Sequence, residues 1–357
     1  MAALAGADPR RLATQQHRAR SHRRFPAPSR RARRGTRELR TPLRPTRGGA
    51  AVAHSVTVRS YGPLGLVSRQ ATYPVPGRLR VLPPFHSRRL LAAKTARLRE
   101  LDGRTSALGR GEGTEFDSLR TYVPGDDTRS IDWRATARRS EVAVRTWRAE
   151  RDRRVLIVLD TGRTSAGRVG DAPRLDAAMD AALLLAALAA RAGDRVDLLA
   201  FDRELRAQVR GKPSPQLLPA LVDGLASLQP HLVETDALGL AAEILRSTPS
   251  RALVVLLTTL DATPVEEGLL PVLGRLTDRH TLPMASVADP RLAEMATARG
   301  TVEKVYQAAA AHKAQAERDR TVGLLRRRGV TVVDAPPDEL ASALADAYLS
   351  AKAAGKL

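Results

Sequence analysis

Cysteine is absent from the 357 residues. That excludes a disulfide scaffold, a thiol nucleophile and a Cys-ligated zinc site. Aromatic residues make up only 3% of the chain, too few for the stacking platforms that hold single-stranded nucleic acid. The longest purely apolar run, residues 181–190, is well short of the ~20 residues that span a bilayer. Met1 is followed by a brief apolar stretch and then by arginines from Arg10 onward, so no secretory hydrophobic region is legible.

What is present is aliphatic and basic. Apolar residues make up 43%, and Ala, Leu and Val carry most of that share, enough for a sizeable core. The formal charge is +21, but residues 1–50, with 14 Arg, no Lys and only Asp8 and Glu38 as acids, account for +12 of it. That tail is rich in Arg, Pro, Gly and Ser with no apolar period, so it is expected to be disordered. A basic tail binds phosphates without specificity. With the excess charge concentrated there, nucleic-acid binding is a subsidiary expectation.

The texture changes near residue 54. Residues 55–61, 67–75 and 78–82 read as three strands of a β-meander, the third closed by Pro83-Pro84. Residues 88–101 read as a basic helix, 103–113 as a flexible Gly-rich stretch, and 141–147 as a strand. Beyond that, strands are expected over 154–159, 195–201, 205–210, 252–257, 282–287 and 330–334. Helices are expected over 174–191, 215–227, 237–246, 266–278, about 303–327, and 338–353. The division is a 1–53 tail, a 54–87 β-meander, an 88–150 segment with helix and strand, and a 151–354 α/β domain. Apolar strands alternating with helices form a mostly parallel sheet covered on both faces. Three residues, 202–204, are too few for a parallel crossover, so strand 205–210 is expected to be antiparallel and at an edge. The expected strand order is 3-2-1-4-5-6, with the switch point beside the first strand.

Three loops should meet at that switch point: residues 160–165, 234–236 and 258–261. Their carboxylates and hydroxyls suit a hard cation, Mg²⁺ above all. Alternatively, Asp160 and Asp236 cap neighbouring backbone. The arrangement resembles the von Willebrand factor A domain, whose adhesion site reads Asp-x-Ser-x-Ser, then a distant Thr and a distant Asp. Asp160, Thr164 and Thr235 match ligand positions. Gly162 replaces the first Ser, and the distant Asp falls at Thr259, with Asp261 two residues late. The resemblance implies a von Willebrand factor A-like (Rossmann-like) α/β fold with a degenerate site of Asp160, Thr164, Thr235 and Asp261, retained in shape and no longer dependent on metal.

Residues 113–138 are more distinctive. Gly113-Thr-Glu-Phe, Ser118-Leu-Arg, Tyr122, Pro124-Gly-Asp-Asp127, Arg129, Ile131-Asp-Trp133 and Ala135-Thr-Ala-Arg138 resemble the signature of the bacterial domain-of-unknown-function family 58, actinobacterial branch. Relatives carry two transmembrane helices before the β-region, where this sequence has its arginine tail. A misplaced start is the expected reason, with a natural form anchored to the cytoplasmic membrane; as written, the chain is expected in the cytoplasm. Within the signature, Arg120, Tyr122, Asp126, Asp127, Arg129, Asp132, Trp133 and Arg138 either form a structural ion-pair network over the sheet or contact a partner.

No triad, P-loop or His-x-x-x-His motif appears, and no general base is evident beside Asp160. The chain therefore reads as a non-enzymatic interaction scaffold. The resemblance implies a MoxR-type AAA+ ATPase as its partner in assembly or chaperone-like work. The alternatives are a metal-dependent phosphoester hydrolase and nucleic-acid binding through the tail.

Overall fold

The computed structural model describes residues 2–3, 48–62, 64–108, 115–124, 126–138, 141–148 and 153–355. Two long strands come first, β1 (Gly49–Tyr61) and β2 (Ser68–Val81), paired antiparallel from Gly49↔Val81 to Tyr61↔Ser68. Ala2–Ala3 pair alongside at Thr57 and Val58. The expected three-stranded meander is thus a ribbon whose second strand runs through Pro74 and Pro76. Proline lacks an N–H to donate, but β2 is an edge strand and needs none on its outer side. The expected boundary at residues 53/54 also falls inside β1, because the pairing extends back to Gly49.

A short 3-10 turn at His86–Leu90 leads into α1 (Leu91–Leu108). This helix continues through residues 103–108, which the glycine content had suggested were flexible. The rest of that stretch, 109–113, lies outside the described residues, as do residue 1 and the tail from 4 to 47. Strand β3 (Glu115–Thr121) pairs antiparallel with β4 (Ala143–Arg148), and between them sits the one-turn helix α2 (Trp133–Thr136). β3 escaped the sequence reading because its polar residues show no clear two-residue alternation.

The principal sheet is built on β5 (Arg154–Asp160). Val155, Ile157 and Leu159 enter one aliphatic cluster, and Leu156 and Val158 another. Alternate side chains of a strand point to opposite faces, so a strand buried on both faces must be apolar throughout. In order follow α3 (Arg174–Arg191), β6 (Arg195–Phe201), β7 (Leu205–Val209), α4 (Ser214–Leu225), α5 (Ala237–Ser247), β8 (Leu253–Leu257) and α6 (Leu270–Thr277). The chain ends with β9 (Pro283–Val287), α7 (Pro290–Thr297), α8 (Val302–Arg327), β10 (Thr331–Ala335) and α9 (Leu340–Ala353). Helix α7 was not expected as a separate element. Its N-terminus is capped by Asp289, whose side chain accepts from the Arg291 N–H at 3.0 Å.

The sheet order is β7-β6-β5-β8-β9-β10, all parallel except β7. In sequence terms this is 3-2-1-4-5-6, the order expected, with β7 antiparallel at the edge as the three-residue link 202–204 required. Helices α1, α3, α4 and α9 contribute to the cluster on one face, and α5, α6 and α8 to the cluster on the other. α3 is the central support, with Leu183, Leu184, Leu185 and Leu188 fully enclosed. Truncating any one of these to Ala would cost about 2–5 kcal/mol. The helix stops at Gly193, whose φ of +79° suits glycine. This architecture fixes the carboxyl ends of β5, β6 and β8 side by side.

Candidate functional site

Asp160, the last residue of β5, is 6% exposed. Its Oδ1 accepts from the Gly162 N–H at 2.8 Å and the Thr235 hydroxyl at 2.6 Å. Its Oδ2 accepts from the Thr258 hydroxyl at 2.6 Å. Burial pushes this carboxyl up, and the three donors together with the neighbouring Asp202 modulate it. The register explains the third donor. Leu257 lies opposite Leu159, so the next residue, Thr258, comes level with Asp160. The hydroxyl that reaches Asp160 from this strand end is therefore that of Thr258, the neighbour of the Thr259 at which the adhesion-site pattern would set its distant Asp. The Thr259 hydroxyl is buried and finds no hydrogen-bond partner among the described residues.

The residues named for a cation are only partly brought together. Asp160 and Thr235 touch. Thr164 lies on the short helical turn Arg163–Ala166, and Asp261 turns to Arg174 at 3.6 Å. Gly162 has an ordinary φ of −72°, but a β-carbon there would lie 2.1 Å from the Thr235 Oγ and 3.0 Å from the Val233 carbonyl oxygen. Thr235 thus fills the space that a serine at residue 162 would occupy. A cation needs several oxygens free to point at it, whereas both oxygens of Asp160 already accept from protein donors and, of the other residues named, Thr235 is the one shown to bond it. As placed, these side chains do not fit Mg²⁺. Among the described residues no group of three or more His, Asp or Glu side chains could hold a metal. The cavity beside Asp160, lined by Ser165, Arg174, Thr258 and Thr259, has room for no more than about one water.

Backbone contacts hold the loops in this arrangement. The Arg163 N–H donates to the Val233 carbonyl at 2.7 Å, the His231 N–H to the Thr161 carbonyl at 2.8 Å, and the Asp236 N–H to the Asp202 carbonyl at 2.9 Å. Asp236 itself caps α5 by accepting from the Gly239 N–H at 3.0 Å, which is the capping role considered for it from the sequence.

Asp202, next to Asp160 at the end of β6, went unrecognised in the sequence. It is fully buried and accepts from Arg206 Nε at 2.8 and 2.9 Å, His231 Nδ1 at 2.8 Å, and the backbone N–H groups of Arg203 and Glu204. Burial alone would raise its carboxyl. The Arg206 guanidinium, the His231 ring and the two backbone amides outweigh that and hold it well below the usual carboxylate range. The signal that could have found it is the one that found Asp160: an acid immediately after an apolar parallel strand.

The signature residues form a second constellation on the β3–β4 arm. Arg120 grips Asp126 with both terminal nitrogens, at 2.7 and 2.5 Å, and Asp126 also accepts from the Val123 N–H. Asp127 caps a short turn by accepting from the Arg129 N–H at 2.9 Å. Asp132 caps α2 through the Ala135 N–H and pairs with Arg145 Nε at 2.8 Å. The Ala135 amide, followed by Arg145, holds the Asp132 carboxyl below the ordinary value. Both ion pairs lie within the arm, where the sequence had left open a network pinned over the sheet. Tyr122 is half-buried, Arg129 and Arg138 are exposed, and Trp133 is 69% exposed.

With this geometry in place, residues 118–333 match the family model described as Protein of unknown function DUF58. The chain belongs to this family. It is similar to the Mycobacterium tuberculosis protein Rv1480, 26% identical over 187 residues, covering 52% of this chain and 58% of that one. It is also similar to YeaD of Bacillus subtilis, 27% identical over 107 residues, covering 30% and 27%. The chain thus spans little more than half of that mycobacterial relative. Among solved structures it is similar to a von Willebrand factor type A protein from Catenulispora acidiphila (16% identity, TM-score 0.34, 58% of this chain and 43% of that one). A second is the SpRpn10 VWA domain (12% identity, TM-score 0.32, 55% and 94%). The fold class of this DUF58 chain rests on its own sheet order, given above.

Proposed function

We propose that this DUF58 chain is a protein-binding adaptor without enzymatic activity, and that the β3–β4 arm is its contact surface. The observation that carries this reading is Trp133. An indole held in water stabilises little in the isolated chain. Yet Asp132 caps the turn that presents it, and Arg145 holds Asp132 from behind. Rigid, pre-oriented Trp with Arg nearby is the composition of interface hot spots. The hydrogen-bonded Asp160 site complements this reading: a locked switch point makes the α/β domain a stiff support and leaves little room for a substrate.

The partner we propose is a MoxR-type AAA+ ATPase, with the adaptor working in assembly or chaperone-like tasks on the cytoplasmic side, where ATP is available. The test is native co-purification from the source cells. The wild-type chain should recover such an ATPase, and Trp133→Ala should lose it while keeping its melting temperature. Wild-type protein that recovers no ATPase would overturn the choice of partner, and an unaffected Trp133→Ala complex would overturn the choice of surface.

A further inference from the structure

The β1–β2 ribbon ends in a turn that a water-soluble surface gives little reason to expect. Leu64, Leu66 and Val67 are 82%, 83% and 75% exposed, and Tyr61 beside them is half-exposed. The turn is a built one: the Gly62 N–H donates to the Val67 carbonyl at 2.8 Å and the Gly65 N–H to the Gly62 carbonyl at 2.9 Å, with Gly65 at φ +70°. Immediately behind it lie Arg59 and Arg69, both exposed. Arg59 pairs across the ribbon with Gln70, and Arg69 with Ser60, so the two arginines stand on opposite faces. Arg59 donates to the Gln70 side-chain carbonyl, a neutral partner, and has no acidic partner among the described residues. No Asp or Glu occurs in the sequence between Glu38 and Glu100.

The opposite end of the ribbon is the anchored one. Arg80 binds Asp223 through the backbone carbonyl at 2.5 Å and the carboxylate at 3.1 Å. From that base to the tip, twelve residue steps of an extended strand reach about 40 Å.

We propose that the tip at residues 61–67, Pro63 aside, inserts into an anionic lipid surface. Its aliphatic side chains would enter the acyl boundary, and Arg59 and Arg69 would meet headgroup phosphates on either side. An apolar point flanked by two cations, with no acid beside it among the described residues, is complementary to a negatively charged bilayer interface. A second copy of the chain is the weaker occupant. Four tip side chains cover far less than the roughly 800 Å² per partner that a stable dimer buries, and two such tips would bring like charges together. This inference stands apart from the adaptor reading and survives its failure.

The absence of cysteine makes the test direct. An environment-sensitive fluorophore on Leu66→Cys in the full chain reports the tip alone. With vesicles of phosphatidylglycerol and phosphatidylcholine in equal parts, its emission should shift to the blue and be quenched by brominated acyl chains. Pure phosphatidylcholine vesicles should bind at least about tenfold more weakly. Adding Leu64→Ser and Val67→Ser should weaken binding by about tenfold or more, and Arg59→Gln or Arg69→Gln by about fivefold each. Vesicle binding with no change in emission would mean adsorption through the arginines alone and would overturn the proposal. So would a blue shift that follows protein concentration without vesicles, which would identify a second copy as the occupant.

Discussion

The Thr235 hydroxyl lies 2.6 Å from Oδ1 of Asp160 and 2.1 Å from where a β-carbon on residue 162 would stand. Gly162 and Thr235 are therefore one arrangement: the missing side chain makes room for the hydroxyl that satisfies the buried carboxylate. A buried carboxylate needs donors or a cation, and here Gly162, Thr235 and Thr258 supply donors.

Gly162→Ala should consequently cost about 1–3 kcal/mol through overpacking, although the backbone angle there tolerates any residue. Thr235→Ala should cost a similar amount, about 1–3 kcal/mol, by removing a donor to a buried acceptor. The double variant should lose clearly less than the sum, because deleting the hydroxyl relieves the clash. Urea denaturation of the four proteins checks this. Strict additivity would show that the two sites do not share the space.

Acid sensitivity should trace to Asp202. Its folded-state carboxyl is depressed, so its contribution is fully present above the unfolded value of about 3.9 and is lost as pH falls below that toward the folded value. Asp160, raised by burial, has the opposite sign and loses its contribution as pH rises. Asp202→Asn should thus be about 3 kcal/mol less stable at neutral pH, since Arg206 and His231 lose their anion. It should also show a shallower decline than wild type between about pH 4 and 2.5. Chemical denaturation across that range measures both, and an unchanged acid slope would refute the assignment.

His280 is 4% exposed and neither ring nitrogen has a hydrogen-bond partner among the described residues. Burial, with Arg279 adding to it, lowers its proton affinity. The unfolded chain then takes up a proton first, so wild-type stability should fall as pH drops below about 6.5. His280→Leu removes two unsatisfied buried atoms and should be neutral or stabilising at pH 7. Its melting temperature should stay flatter between about pH 6.5 and 5. Identical pH profiles for the two proteins would exclude His280 as the source.

Trp133→Ala should change folding stability by no more than about 0.5 kcal/mol, the usual range for an exposed side chain. A melting curve decides. A large loss would mean that the indole packs against the protein itself and is not presented for a partner.

The sequence by itself determined the α/β domain, because its signals are local. Runs such as 155–159 must be buried on both faces, α3 is bounded by Pro173 and Gly193, and the three-residue link 202–204 forces β7 to run antiparallel. The sequence also singled out Asp160, Thr235 and the 113–138 signature. Only the tertiary structure decided how those residues are bonded. That Thr258 donates to Asp160 while the Thr259 hydroxyl finds no partner among the described residues depends on the register between β5 and β8, two strands almost a hundred residues apart. That Asp202 is locked by Arg206 and His231 depends on how the 229–236 loop folds back over the strand ends. The ribbon was misread for a related reason. Proline and glycine at residues 74–77 signal a break locally, and β2 runs straight through because, among the described residues, no strand pairs with its outer side.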